Sequence, residues 1–253
     1  MLGIERKMMI LDILKKDRSV SVVKLAKTLY TSEATIRRDL DQLEKEQLIK
    51  RTYGGAALLE GLSAEIPLYV RETERQKEKD AIALAAANLV ADGNILIMDS
   101  SSTTYGMVRF LAARKDLTVL TNGAKTAIKL GELHTRVFCT GGQLRENSLS
   151  YVGDSAVAFI QGYHADILFF SCRGLVDGEG LYESSPEEAQ LRRAMMGSAQ
   201  TKVLLCDNSK LGSYSFNKIC PLEEIDVLVC NASVDENTRR WVAEAGVRLI
   251  ETV

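Results

Sequence analysis

Between residues 95 and 250 the chain carries a series of short apolar runs: Ile95-Leu96-Ile97-Met98, Leu117-Thr118-Val119-Leu120, Val137-Phe138-Cys139, Ile167-Leu168-Phe169-Phe170, Val203-Leu204-Leu205, Val227-Leu228-Val229 and Val247-Arg248-Leu249-Ile250. Most lack the apolar–polar alternation of a strand with one face in water, so they predict strands covered on both faces. Helical stretches separate them, among them the alanine-rich segment from Ala81 to Val90. Doubly covered strands alternating with helices make a mainly parallel sheet, which predicts an α/β domain over residues 75–253.

The first 57 residues follow a different period. Ile4, Met8, Leu11 and Leu14 form one helical stripe that ends near Lys15-Lys16-Asp17-Arg18. Ser21 can cap a second helix bearing Val22, Leu25, Ala26 and Leu29. After Tyr30 and Thr31 alone, Ser32 can cap a third, with Ile36, Leu40 and Leu43 inward and Thr35, Arg37, Arg38 and Asp41 outward. Residues 48–53, the pair Gly54-Gly55 and residues 56–59 read as a hairpin whose turn needs glycine dihedrals. Helix, helix-turn-helix and hairpin predict a winged helix over residues 1–57, and Gly61 and Pro67 mark a linker over 58–74.

A hydrophobic share of 46% and a charged share of 26% describe an ordinary globular chain. No apolar run reaches the roughly 20 residues of a membrane span, and residues 1–10 lack a signal-peptide core, so a cytoplasmic protein without membrane contact is expected. The cysteines at 139, 172, 206, 220 and 230 form no C-x-x-C, and only two histidines accompany them, which predicts neither a disulfide framework nor a metal site, and no cofactor. The net charge of −2 conceals a division. Residues 1–55 hold 12 Lys+Arg against 8 Asp+Glu, or +4, leaving 20 against 26, or −6, for the rest. A basic small domain on an acidic large one suits a chain that meets nucleic-acid phosphate with its first part.

In a helix-turn-helix the start of the second helix meets base edges, and neighbouring cations hold phosphates. Ser32, Thr35 and Arg38 are the groove candidates, flanked by Glu33 and Arg37, with Lys50, Arg51, Thr52 and Tyr53 on the wing. The competing reading makes Ser32 a cap only, and the arginines a solvated face paired with Glu33 or Asp41.

In the larger domain, Asp99-Ser100-Ser101-Ser102-Thr103-Thr104 follows a buried strand and opens a helix, while Thr121-Asn122-Gly123 and Thr140-Gly141-Gly142 follow two others. Ligands of parallel sheets sit beyond the strands' carboxyl ends, where hydroxyls and free N–H groups suit a phosphate. The candidates are Asp99, Ser100, Ser101, Ser102, Thr103, Thr104, Thr121, Asn122, Gly141 and Gly142, with Arg145 and Lys210 as cations. Ordinary helix caps, and a surface pair between Asp207 and Lys210, are the alternatives. His134 and His164 read as helix-end residues.

The run from Ser32 to Leu40, Arg51-Thr52-Tyr53-Gly54-Gly55-Ala56, Asp92-Gly93, Leu120-Thr121-Asn122, Gly141-Gly142 and Asp207 to Lys210 resemble the DeoR family of bacterial sugar-metabolism regulators over nearly the whole chain. The resemblance implies a repressor of a carbohydrate operon that binds operator DNA, with a sensor domain similar to ribose-5-phosphate isomerase that binds a phosphorylated sugar. The family usually has glycine where this chain has Tyr30, Gln47 and Ser101. The alternative is a sugar-phosphate isomerase-like enzyme with an accessory DNA-binding domain. It lacks the isomerase Asp-Gly-Ala-Asp-Glu run, since the comparable strand end reads Phe170-Ser171-Cys172-Arg173-Gly174, so no catalytic residue is expected. One winged helix covers a short half-site, which predicts a homodimer or homotetramer.

Overall fold

A computed structural model describes residues 3–46, 48–58, 66–231 and 234–252; Gln47 and Leu59 lie outside the described residues. The chain divides into two units, Met1–Arg71 and Glu72–Val253.

The first unit begins with α1 (Gly3–Asp17), β1 (Ser19–Ser21), α2 (Val22–Thr28) and α3 (Glu33–Lys45). Ser21 Oγ accepts the Lys24 N–H at 3.2 Å and Ser32 Oγ that of Thr35 at 3.1 Å, so each serine satisfies one of the orphan donors that open a helix. Strands β2 (Ile49–Thr52) and β3 (Gly55–Leu58) form the wing, and β1 pairs with the outer side of β3 to make a three-stranded sheet. A Cβ on Gly55 would lie 2.2 Å from the Val20 carbonyl oxygen, so this pairing requires glycine. Ile10, Leu14, Leu25, Ile36, Leu40, Leu43 and Ile49 form the core. Ile4 departs from the expected stripe: it sits in the first turn of α1, 55% exposed.

Part of the expected linker is helical. Helix α4 (Leu68–Thr73) buries Leu68 and Val70, and Val70 belongs to the winged-helix core. Tyr69 donates its hydroxyl to Glu46 at 2.7 Å, and Glu46 also pairs with the buried Lys7 at 3.1 Å. Burial and that carboxylate push the Tyr69 hydroxyl well above its ordinary pKa.

The second unit runs α5 (Gln76–Ala87), β4 (Ile95–Met98), α6 (Ser102–Tyr105), α7 (Val108–Leu111), β5 (Thr118–Thr121), α8 (Ala124–Glu132) and β6 (Arg136–Cys139). A hairpin of β7 (Gln143–Arg145) and β8 (Ser150–Val152) precedes α9 (Asp154–Gln161) and β9 (Ala165–Phe170). Strands β10 (Gly174–Val176) and β11 (Gly180–Glu183) lead into α10 (Pro186–Gly197) and β12 (Ala199–Cys206), followed by β13 (Asn217–Cys220), β14 (Val227–Asn231), α11 (Glu236–Glu244) and β15 (Arg248–Thr252). The main sheet has the order β15-β14-β12-β9-β4-β5-β6 with every neighbour parallel. Each of its seven strands overlaps one of the apolar runs read from the sequence, with Leu117 and Val247 falling just before β5 and β15. Two buried clusters cover its faces, one around Phe170, Leu204 and Leu228, the other around Ile82, Met98, Val119 and Phe169. Four cysteines are buried free thiols and Cys139 is exposed. Among the described residues no helix is long and apolar enough to cross a membrane.

Candidate DNA-binding and effector sites

Helix α3 is locked from behind by Arg6 of α1, whose Nε and Nη2 meet both oxygens of Asp39 at 2.5 and 3.1 Å. That carboxylate raises the Arg6 pKa through its hydrogen bond and charge, against burial. The outward face carries the predicted residues in three conditions. Ser32 and Thr35 share a hydroxyl contact of 2.9 Å, so the serine caps the helix and stays exposed beside the threonine. Arg37 forms the i,i+4 pair with Glu33 at 2.7 Å that the sequence left open. Arg38 is exposed and makes no hydrogen bond or ion pair among the described residues.

On the wing, Lys50 and Thr52 point to solvent and Tyr53 is fully exposed beside the turn at Gly54, φ 83°. Arg51 differs from its neighbours. Its guanidinium pairs with Asp41 of α3 and reaches the Gly55 carbonyl at 3.3 Å, and its N–H donates to Glu44 at 2.9 Å. It fastens the wing to the helix. Tyr30, at a position where the resemblance leads to an expectation of glycine, adopts a left-handed φ of 50° with its side chain 96% exposed.

At the carboxyl edge of the main sheet the loops after β12, β9, β4, β5 and β6 stand side by side, as the strand order requires. Direct contacts join them. Lys210 Nζ donates to Ser171 Oγ at 2.6 Å, the Ser171 N–H donates to Asp99 at 3.1 Å, and a Cβ on Gly123 would lie 3.2 Å from the Ser100 Cα. Thr140 N–H donates to the Thr121 carbonyl at 3.0 Å. Gly141 and Gly142 have φ of 63° and 104°, and a Cβ on the second would approach the Val152 oxygen to 2.5 Å. The β7–β8 hairpin clips onto the β5 loop, with Tyr151 N–H donating to the Asn122 carbonyl at 2.7 Å.

Most predicted residues therefore share one edge, in different roles. Ser101 caps α6, accepting the Thr104 N–H at 3.2 Å and donating to its hydroxyl at 2.8 Å. Thr121 Oγ1 accepts the Gly123 N–H at 3.0 Å. Ser100 and Ser102 are buried, while Thr103 Oγ1 and Asn122 Oδ1 are buried without a partner among the described residues. The Asp207–Lys210 pair is present at 3.7 Å. Burial works against the charge on Asp207, but Lys210, Ser209 and Lys79 outweigh it and hold the carboxyl below its ordinary pKa.

Asp99 supports this loop more than it lines a cavity. Its Oδ1 accepts the Ser101 N–H at 3.0 Å, and its Oδ2 takes Arg192 Nε and Nη2 at 3.2 and 3.1 Å. Arg192 also donates from Nη1 to Glu183 at 2.7 Å and to Glu188 at 3.1 Å. Burial alone would lower the Arg192 pKa; the three carboxylates outweigh it and raise it. Arg145 lies 3.9 Å from Glu188 and 3.4 Å from Glu187, and Arg173 lies 3.5 Å from Glu183. Asp99, Glu183 and Glu188 thus face Arg145, Arg173 and Arg192. Sequence reasoning missed Arg192, Glu183 and Glu188; the only signal was the i,i+4 spacing of Glu188 and Arg192, which surface pairs share. Asp99, Asn122, Glu188, Leu191, Arg192 and Met195 line a narrow crevice there.

Residues 6–61 match the DeoR-like helix-turn-helix domain, and residues 74–232 the DeoR C terminal sensor domain. The chain belongs to the DeoR family. It is a helix-turn-helix transcriptional regulator and not an enzyme. Similar proteins include the regulator GlpR of Haloferax volcanii, 35% identical over all of this chain and 99% of that one, and the repressor GlcR of Bacillus subtilis, 31% identical over 98% and 96%. YulB of Bacillus subtilis, described as an uncharacterized HTH-type transcriptional regulator, is 36% identical over 98% and 96%. Among solved structures the chain is similar to ribose 5-phosphate isomerase A from Methanocaldococcus jannaschii, with 17% identity, 55% of each chain covered and a TM-score of 0.41.

Proposed function

We propose that this DeoR-family regulator is a cytoplasmic repressor of a carbohydrate-metabolism operon, binds operator DNA as a homodimer or homotetramer, and is controlled by a phosphorylated sugar held at the carboxyl edge of the sensor sheet. The observation that carries the effector reading is the pair of buried polar atoms without a partner among the described residues, Thr103 Oγ1 and Asn122 Oδ1, on adjoining loops. Leaving such atoms unsatisfied costs roughly 1–3 kcal/mol each, a cost that a ligand's oxygens and hydroxyls would remove. Lys210, on the same edge, supplies the cation for a phosphate. Two DNA-binding units related by symmetry would double the short half-site that one α3 can read.

The test is fluorescence anisotropy on an operator selected from random duplexes, with and without glucose 6-phosphate, fructose 1-phosphate and ribose 5-phosphate. One of them is expected to change operator affinity by about fivefold or more. In Thr103→Ala that influence is expected to vanish while effector-free affinity stays within about twofold. If no sugar phosphate alters the wild type, the effector class is wrong; if calorimetry shows Thr103→Ala binding the sugar as tightly as wild type, this loop is not its site.

A further inference from the structure

Two side chains at the very start of the sensor unit reach into the loops of the proposed effector site. Glu72, in the last turn of α4, takes Lys125 Nζ at 2.6 Å on both carboxylate oxygens. Lys125 stands three residues after Asn122 in the first turn of α8, with its ammonium 4.7 Å from the Tyr105 ring centroid of α6. Glu72 also shares the wall of a cleft of about 300 Å³ with Ser102 and Tyr105. The second contact runs from Arg75, whose Nη1 donates to Asn208 Oδ1 at 3.2 Å. Asn208 precedes Lys210 by two residues, and its N–H donates to Asn231 Oδ1 at 2.7 Å, tying the loop to the end of β14. Arg75 breaks the chain between α4 and α5 in a left-handed conformation, φ 51°, with no side-chain cap on the helix that follows. A non-glycine residue held there costs roughly 1–2 kcal/mol, so the position persists only while other contacts fix it.

We propose that Glu72 and Arg75 are positioning residues that relay effector occupancy out of the sensor, the first through Lys125 to the Asn122 loop and the second through Asn208 to the Lys210 loop. This rests on the effector reading above. An anion drawing Lys210 away from Asp207 and Ser171, and a sugar hydroxyl engaging Asn122, would each move a loop that grips one of these side chains. Both grips close on the few residues through which the chain passes from the DNA-binding unit to the sensor. A ligand can shift an equilibrium only by binding one arrangement better than another, and here the second grip falls on the residue held in the strained conformation, so loosening it would free that residue to relax.

The test uses the full chain carrying Glu72→Gln and Asn208→Ala together, neither of which contributes a group to the proposed effector or DNA contacts. Calorimetry with the active member of the sugar-phosphate panel is expected to give the wild-type dissociation constant within about twofold, with inorganic phosphate as control. The effect of that sugar on operator affinity, about tenfold in a typical coupling, is expected to fall below about twofold. The charge exchange Glu72→Lys with Lys125→Glu, placed in an otherwise wild-type chain, is expected to retain most of the coupling that Glu72→Gln alone loses, which a merely packing role would not allow. Full coupling in the double variant overturns the relay while leaving the effector site standing. Absence of sugar-phosphate binding in the wild type overturns the effector reading and the relay with it.

Discussion

Replacing Arg192 by methionine tests whether the buried charge network holds the effector edge together. The side chain is 7% exposed and donates to Asp99, Glu183 and Glu188, themselves 1%, 2% and 6% exposed. Methionine keeps most of the volume but removes the cation that all three buried carboxylates share, leaving Arg145 and Arg173 at their margins. Breaking a buried pair by removing one partner costs about 3–5 kcal/mol, because the remaining charge is uncompensated. For a unit of this size that loss corresponds to a fall of roughly 6–20 °C in melting temperature. The assay is built into the chain: its single tryptophan, Trp241, lies on α11 against the sensor core, so its fluorescence during urea unfolding reports this unit alone. A loss under about 1 kcal/mol would refute the argument that this arginine carries the network.

Two further outcomes concern the DNA-binding unit. Arg38→Ala is expected to lose about 1–3 kcal/mol on the cognate operator alone, whereas Lys50→Ala weakens every sequence and lowers the salt slope by about one; anisotropy titrations at several salt concentrations separate the two, and wild-type behaviour in both would remove this face from the DNA. Tyr30→Gly is expected to stabilise the winged helix by about 0.5–1 kcal/mol, since the relieved left-handed strain exceeds the added chain entropy; a lower thermal midpoint by circular dichroism would refute it.

The strands of the main sheet were legible because burial on both faces leaves unbroken apolar runs, and the caps at Ser21 and Ser32 because a helix start needs a short polar side chain. The short strands β1, β7, β8, β10, β11 and β13 were not. Three or four residues carry no period, and Ser19–Ser21 becomes a strand only through its distant partner β3. Helix α4 was hidden by Pro67, which reads as a breaker although two carbonyl bonds, Val70 and Arg71 N–H to Pro67, start the helix on it. The loops bearing Thr103, Asn122 and Lys210 were found from their place after strands. Their support was invisible, because Asp99 and Arg192 are 93 residues apart and nothing local tells a buried i,i+4 pair from an exposed one. Arg51 shows the same limit: a wing arginine beside a lysine reads as a phosphate contact until Asp41 is seen beneath it.

The wing confines mutation very unevenly. At Gly55 the Val20 carbonyl occupies the space of any side chain, and Arg51 is tied to Asp41, Glu44 and the Gly55 carbonyl, so these positions tolerate almost nothing. Two residues away, Thr52 and Tyr53 touch little, and Lys50 projects freely from the other side of Arg51. A duplicated copy of this regulator could therefore change how tightly it grips DNA of any sequence by exchanging the free positions, with the frame of the wing untouched.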